Sequence, residues 1–214
     1  GTGSYQLTDP LNASTISLNR GTFDTNDQSI LAEDIVAVGL PNPKTLLLRD
    51  SEIELTGHIP SPVISTVTFV SSGLDLQPGN SNIYFTNTLP GIRFDYPLSL
   101  HNVYFTEPAG DATIDTDNGI FNAITLNGNA RLLRQQSMDT PLVAPGEASR
   151  FDAFFTQTIN EYWQIIGNNC TPISLSSTML NSLANVNMPA SGNILADFIQ
   201  MRDIQAVGGA NFLA

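Results

Sequence analysis

Cysteine is nearly missing from this chain of 214 residues: Cys170 stands alone, so no internal disulfide can form and no thiolate cluster can hold a metal. With no second thiol and no histidine beside it, Cys170 is expected as a small buried hydrophobe. Lysine is just as scarce, Lys44 being the only one beside seven arginines scattered from Arg20 to Arg202. A row of phosphates calls for clustered cations, and a net charge of −12 opposes both nucleic acid and an anionic membrane surface. No apolar run approaches the ~18 residues of a membrane span. His58 and His101 are the only imidazoles; neither sits at metal-ligand spacing, and no glycine-rich phosphate loop is present. These absences argue against nucleic acid, membrane insertion and any metal or cofactor. Neutral or cationic surfaces, sugars included, remain as partners.

Asparagine, serine, threonine, glycine and proline fill the space that charge leaves. From Thr45 onward, short β-favouring runs alternate with turn residues such as Pro78-Gly79, Pro90-Gly91, Asn118-Gly119 and Asn127-Gly128. Strands of three or four residues are too short for stable independent hairpins, so something must make them cooperative. Stacking them as rungs does so: in Ile83-Tyr84-Phe85 and Ile92-Arg93-Phe94 the outer members can share an interior while the middle one faces solvent. The expected class is therefore all-β, with a parallel, right-handed β-helix-like body. A β-sandwich or jelly roll is the alternative that the longer runs LSLHNVYF and IFNAITL keep open.

The chain divides, on this reading, into five parts. Residues 1–4 (GTGS) resemble a cloning scar, 5–45 an N-terminal arm, 46–138 the β-helix body, 139–170 a small β cap, and 171–214 a linker with an apolar association segment. Within the arm, QSILAEDIVAV reads as a short helix or an extended segment. Within the last part, Ser191 could cap a short helix whose Ile194, Leu195, Phe198, Ile199 and Met201 follow helical spacing and form a candidate oligomer interface. Trp163, near the end of the cap, is expected as a cap or interface residue.

Three stretches carry a resemblance to the β-helical tail fibres and tailspikes of bacteriophages. GIRFDYPLSLHNVYFTEPAGDATIDTDNGIFNAITLNGNARLL looks like the last rungs of such a β-helix. LLRQQSMDTPLVAPGEASRFDAFFTQTINEYWQIIGN is similar to the fibre pattern of a Pro-Gly turn, an alternating strand and a closing strand with Trp. TPISLSSTMLNSLANVNMPASGNILA is similar to the linker that follows. The resemblance implies a homotrimeric virion component, located in the particle's tail or surface. Its expected partners are further copies of itself, other virion proteins and a host-surface receptor, glycans among them.

No catalytic residue is assigned. Glu52 and Glu54 alternate along one strand and so share a face roughly 7 Å apart, a separation that a glycoside hydrolase could use. A polysaccharide-degrading hydrolase or lyase is therefore the main rival to a binding protein, and a capsid cement protein is the third reading. Asp111, Asp115 and Asp117 lie close together, but their order does not fit a calcium loop, and a solvated turn is expected. Sugars stack on exposed aromatic rings, which draws attention to Tyr5, Tyr84, Tyr96, Tyr104, Tyr162 and Trp163.

Overall fold

The computed structural model describes residues 3–57 and 66–209, and every regular element among them is a strand. The first two rungs hold β1 (Ser4–Gln6) and β2 (Leu11–Ser17), then β3 (Gly21–Asp24) and β4 (Ile30–Ala37). The next two hold β5 (Lys44–Leu47), β6 (Glu52–Leu55) and β7 (Val67–Phe69), then β8 (Leu74–Gln77), β9 (Asn82–Phe85) and β10 (Gly91–Phe94). Three rungs of longer, bent strands follow: β11 (Ser99–Phe105) with β12 (Asp111–Thr116), β13 (Gly119–Leu126) with β14 (Asn129–Leu133), and β15 (Gln136–Val143) with β16 (Ala148–Phe151). The last full rungs are β17 (Thr156–Ile159), β18 (Tyr162–Ile166) and β19 (Ile173–Ser177), then β20 (Ala184–Met188), β21 (Asn193–Asp197) and β22 (Ile199–Arg202), before β23 (Ile204–Gly208) begins another.

All pairings are parallel and run from one rung to the next, which makes the protein an all-β parallel β-helix with three faces. The first face begins as the separate sheet β1-β3-β5-β8 and is resumed by the opening residues of β11, β13 and β15 with β17, β20 and β23. The second face carries β6, β9, β11, β13, β15, β18 and β21. The third carries β7, β10, β12, β14, β16, β19 and β22.

Inward residues align into columns because the register is kept from rung to rung. Ile53, Ile83, Val103 and Ile124 form one, and Leu55, Phe85, Phe105 and Leu126 the next, all buried. Phe85 and Phe105 stack with ring centroids 4.8 Å apart, and Phe69 stacks on Phe94 at 5.5 Å. Each such side chain contributes about 1.5–3 kcal/mol through burial, which stabilises strands too short to stand alone. The expected inside-outside alternation holds: Ile83, Phe85, Ile92 and Phe94 point inward, while Tyr84 and Arg93 point out.

Several segments differ from the sequence reading. The stretch read as an N-terminal arm forms β1 to β4 and the start of β5; Ser4 already pairs with Thr22, and the Gly3 carbonyl accepts from Thr22 N–H at 3.0 Å. The stretch read as a cap holds parallel strands, not a hairpin or meander, because its turns at Pro145-Gly146 and Asn160-Glu161 join neighbouring faces. Trp163 belongs to the interior, 1% exposed and edge-on to Phe151 at 6.4 Å. Cys170 is exposed, on a corner loop whose Asn168 side chain caps the Cys170 and Thr171 amides. The C-terminal segment is extended, not helical: Ile194, Ile199 and Met201 pack against the core from β21 and β22, while Leu195 and Phe198 are exposed.

Charged side chains tie the corners. Arg134, in the left-handed region at φ 60°, reaches back over two rungs. Its Nε donates to Asp115 Oδ1 at 2.5 Å, and its Nη2 donates to the Phe94 and Asp115 carbonyls at 2.9 and 3.0 Å and to Asp95 at 3.3 Å. Burial works against the guanidinium charge, but Asp115 and Asp95 outweigh it and raise its pKa. Arg49, at φ 49°, grips Asp24 through two bonds of 2.5 and 2.7 Å. Lys44 is buried, its Nζ donating to Ser71 Oγ at 2.5 Å and the Leu40 carbonyl at 3.2 Å, and burial lowers its pKa.

Candidate ligand-binding flank

Strand pairing that aligns the core also aligns what faces solvent. On the second face Glu54 lies beside Tyr84, and Tyr84 beside Tyr104. The two tyrosine rings stack with centroids 4.8 Å apart and planes inclined by 12°. Next to this column runs a polar ladder: Asn82 donates to Glu52 at 2.7 Å, Asn102 to Asn82 at 2.9 Å and Asn122 to Asn102 at 2.8 Å. Asn82 and Asn102 both give and receive along the ladder, which fixes their orientation, and Asn122 closes it as a donor.

The column opens at its N-terminal end into a cleft of about 420 Å³. Tyr84 walls it on one side, Pro10, Leu11 and Leu31 on the other, and Glu52 and Glu54 line it between them. Tyr104, stacked behind, holds the Tyr84 ring in place. Glu54 also accepts from Thr86 Oγ1 at 3.3 Å. Burial, followed by the hydrogen bond to Glu52 and the charge of Glu52, pushes the Tyr84 phenol up to about 12. A raised folded-state value means that the protonated phenol is the form the fold favours. Its contribution is complete below the unfolded value of ~10 and is lost as pH rises through about 12. The difference between the ultraviolet alkaline titrations of the wild type and Tyr84→Phe is expected to show one phenol ionising near 12, not near ~10. A component centred near the ordinary value would show that neither the burial of the phenol nor its contact with Glu52 holds.

An aromatic wall, apolar residues opposite and carboxylates with hydrogen-bonding capacity suit a saccharide: the ring's C–H face packs on Tyr84 while hydroxyls donate to Glu52 and Glu54. The acids would repel an anionic sugar, so the cleft fits a neutral or amino sugar. As the alternation implied, Glu52 and Glu54 share one face of β6. Both project in the same direction from a single strand, however, so they meet one side of a ligand lying on the flank. A glycosidase sets its two carboxyl groups on either side of the scissile bond.

The other residues singled out in the sequence lie elsewhere. Asp111 and Asp115 point outward from β12 and are paired with Arg131 at 3.1 Å and with Arg134. Asp117 accepts from Asn118 at the corner where φ is 57°. Among the described residues no group of three or more His, Cys, Asp or Glu could hold a metal ion. His101 lies in β11, and its buried Nδ1 has no partner among the described residues; His58 falls outside the described residues. Tyr84 and Tyr104 are among the aromatic candidates of the sequence; the asparagine ladder beside them is not. Its signal is a repeat: Asn82-Ile83-Tyr84-Phe85-Thr86 returns as Asn102-Val103-Tyr104-Phe105-Thr106 after twenty residues, one rung later.

The fold and the flank define the class, a parallel β-helix with a ligand-sized cleft on one face. No protein-family model, curated protein or solved structure matches the chain.

Proposed function

We propose that this chain is a non-enzymatic structural component of a virion appendage, of the tail-fibre or tailspike kind, that binds a host-surface saccharide. The observation that carries the reading is the Tyr84-walled cleft, built on a rigid flank with both carboxylates on the same side of the ligand. Binding to a neutral oligosaccharide from a host surface, measured by calorimetry, is expected to weaken at least ~10-fold in Tyr84→Ala, equivalent to ~1.4 kcal/mol. Tyr84→Phe keeps the ring and is expected to stay within about fivefold, since a single exposed hydrogen bond is worth ~1 kcal/mol or less. Equal losses in both variants would remove the stacking role. The rival hydrolase or lyase reading predicts reducing ends or unsaturated products released from the bound glycan and abolished by Glu52→Gln; the binding reading predicts none.

Association of several copies accompanies this reading, since weak single contacts gain strength when repeated. Phe154, Phe155, Met179, Leu180 and Leu183 are all exposed on two stacked corner loops, where the Phe154 N–H donates to the Leu183 carbonyl at 3.2 Å. An apolar cluster of this kind marks a contact surface. The stretch from Pro172 to Ala196 carries no charged residue, so copies bearing −12 each can approach there with least repulsion. The segment holding Ile194, Leu195, Phe198, Ile199 and Met201 adjoins it, with Leu195 and Phe198 outward. Light scattering is expected to give a trimer mass that falls in the double variant Leu195→Ser, Phe198→Ser; an unchanged mass would take this segment out of the interface. A capsid cement protein, the third reading, would show assembly without saccharide binding.

A further inference from the structure

The seven arginines look scattered along the chain, but the fold gathers three of them. On the third face Arg131 pairs with Arg150, Arg150 with Ser176, and Ser176 with Arg202, all in outward positions. Arg131 is engaged by Asp111 at 3.1 Å. Among the described residues Arg150 makes no ion pair or side-chain hydrogen bond, and Arg202 has only a loose contact with Asp203 at 3.7 Å. Between Arg150 and Arg202 the surface sinks into a groove of about 350 Å³. Ala148, Ser174, Ser176 and Gln200 line it together with the two arginines and Met201, and no carboxylate is among them.

In a chain of net charge −12, two guanidiniums left without firm partners beside a recess free of acids are an exception to the prevailing field. Arginines placed to stabilise the fold are engaged here, as Arg49 and Arg134 are. We propose that this groove is a binding site for an acidic saccharide, carrying sulfate or carboxylate groups, on a different face from the Tyr84 cleft and independent of it. Arg150 and Arg202 are two strands apart, roughly 10 Å along the helix axis. That distance is close to the disaccharide repeat of an extended acidic polysaccharide, so each guanidinium can take one anionic group through its planar fork. Ser174, Ser176 and Gln200 offer hydroxyl and amide groups to the sugar between them. Two available cations are too few for the row of phosphates that nucleic acid presents.

The test is calorimetric titration of the whole chain with three hexasaccharides: one sulfated and heparin-derived, one of galacturonate, and one of neutral glucose. Binding of the sulfated or the galacturonate oligomer that depends on Arg150 and Arg202 is expected, and which of the two binds identifies the anionic group; any binding of the neutral oligomer belongs to the Tyr84 cleft and is insensitive to both arginines. The double variant Arg150→Gln, Arg202→Gln is expected to weaken it at least ~10-fold, with Tyr84→Ala and Arg20→Gln leaving it unchanged. Raising salt from 50 to 200 mM is expected to weaken it severalfold, as for any charge-paired ligand. Both arginines are exposed, so the double variant should keep the wild-type circular dichroism and melting curve. The proposal is overturned if neither acidic oligomer binds, if the double variant binds as the wild type does, or if a thymidine oligonucleotide binds as tightly with the same dependence on the two arginines. Loss of the Tyr84 cleft as a saccharide site would leave this result untouched, so the two readings fail separately.

Discussion

Replacing Phe85 by alanine is expected to destabilise the protein by about 3–5 kcal/mol, the cost of emptying a fully buried aromatic site. Phe85 is 0% exposed and its ring lies parallel to that of Phe105, 4.8 Å away. Removing it strands Phe105 and leaves a void next to Leu55, its neighbour on the preceding rung. A helical bundle can close such a void by sliding a helix. Here the rungs are held about 4.8 Å apart by backbone hydrogen bonds on every face, so collapse is limited and the cavity part of the cost is largely retained. Tyr84→Ala, one residue away but outward and half-buried, is expected to cost about 1–2 kcal/mol, chiefly its stacking on Tyr104. Chemical denaturation of the two variants checks the contrast. Equal losses would mean that the inward and outward columns contribute alike, which the stacking account of stability forbids.

That contrast also marks what the sequence made legible. A triplet such as Ile83-Tyr84-Phe85 declares its inner and outer residues through period-two alternation, and glycine or proline turns declare many of its corners. Rungs whose corners use other residues are hidden. Phe198 and Asp203 each turn the chain alone, at φ 48° and 57°, and Arg134, at φ 60°, turns it together with Gln135; neither arginine nor phenylalanine advertises a left-handed conformation. With its corners at Phe198 and Asp203 unseen, the run from Asn193 to Val207 places apolar residues at spacings that mimic a helix. With them in place it divides into three strands, of which the first two alternate in and out. Trp163, expected as a cap or interface residue, makes the same point: alternation puts Tyr162 and Gln164 outside and the indole in the core of a full rung.

The outward columns were hidden for a different reason. Which residues stack depends on the number of residues in each rung, and rungs differ because their corners differ. Asn82 and Asn102 fall twenty residues apart, whereas Glu52 and Asn82 are separated by thirty. The tyrosine stack and its asparagines sit where two successive rungs are nearly equal, so they leave a readable repeat. The pairing of Arg150 with Ser176, and of Ser176 with Arg202, crosses the longer corners at 167–172 and 178–183. Nothing in the spacing of the arginines reveals it.

Arg134 joins these themes, and its replacement is expected to show the second-largest loss. Arg134→Ala removes four hydrogen bonds, two to carboxylates and two to carbonyls on earlier rungs. Bonds to a charged group are worth ~1.5–3 kcal/mol where buried, but the side chain is 28% exposed and its partners Asp95 and Asp115 about a third exposed, so solvent screening discounts the sum to about 2–3 kcal/mol. Asp95 keeps Arg93 as a partner, and Asp115 loses the bond of 2.5 Å. Arg134→Lys offers one ammonium in place of a fork that spans several acceptors, and is expected to recover less than half of the loss. Arg134→Gly tests the backbone separately: glycine accepts φ 60° without the ~1 kcal/mol penalty of a side chain there, so it should be the less destabilised of the two truncations. Should alanine and glycine give equal losses, the corner would be unstrained. Should neither lower the melting temperature, the clasp would contribute nothing that the stacked rungs do not already supply.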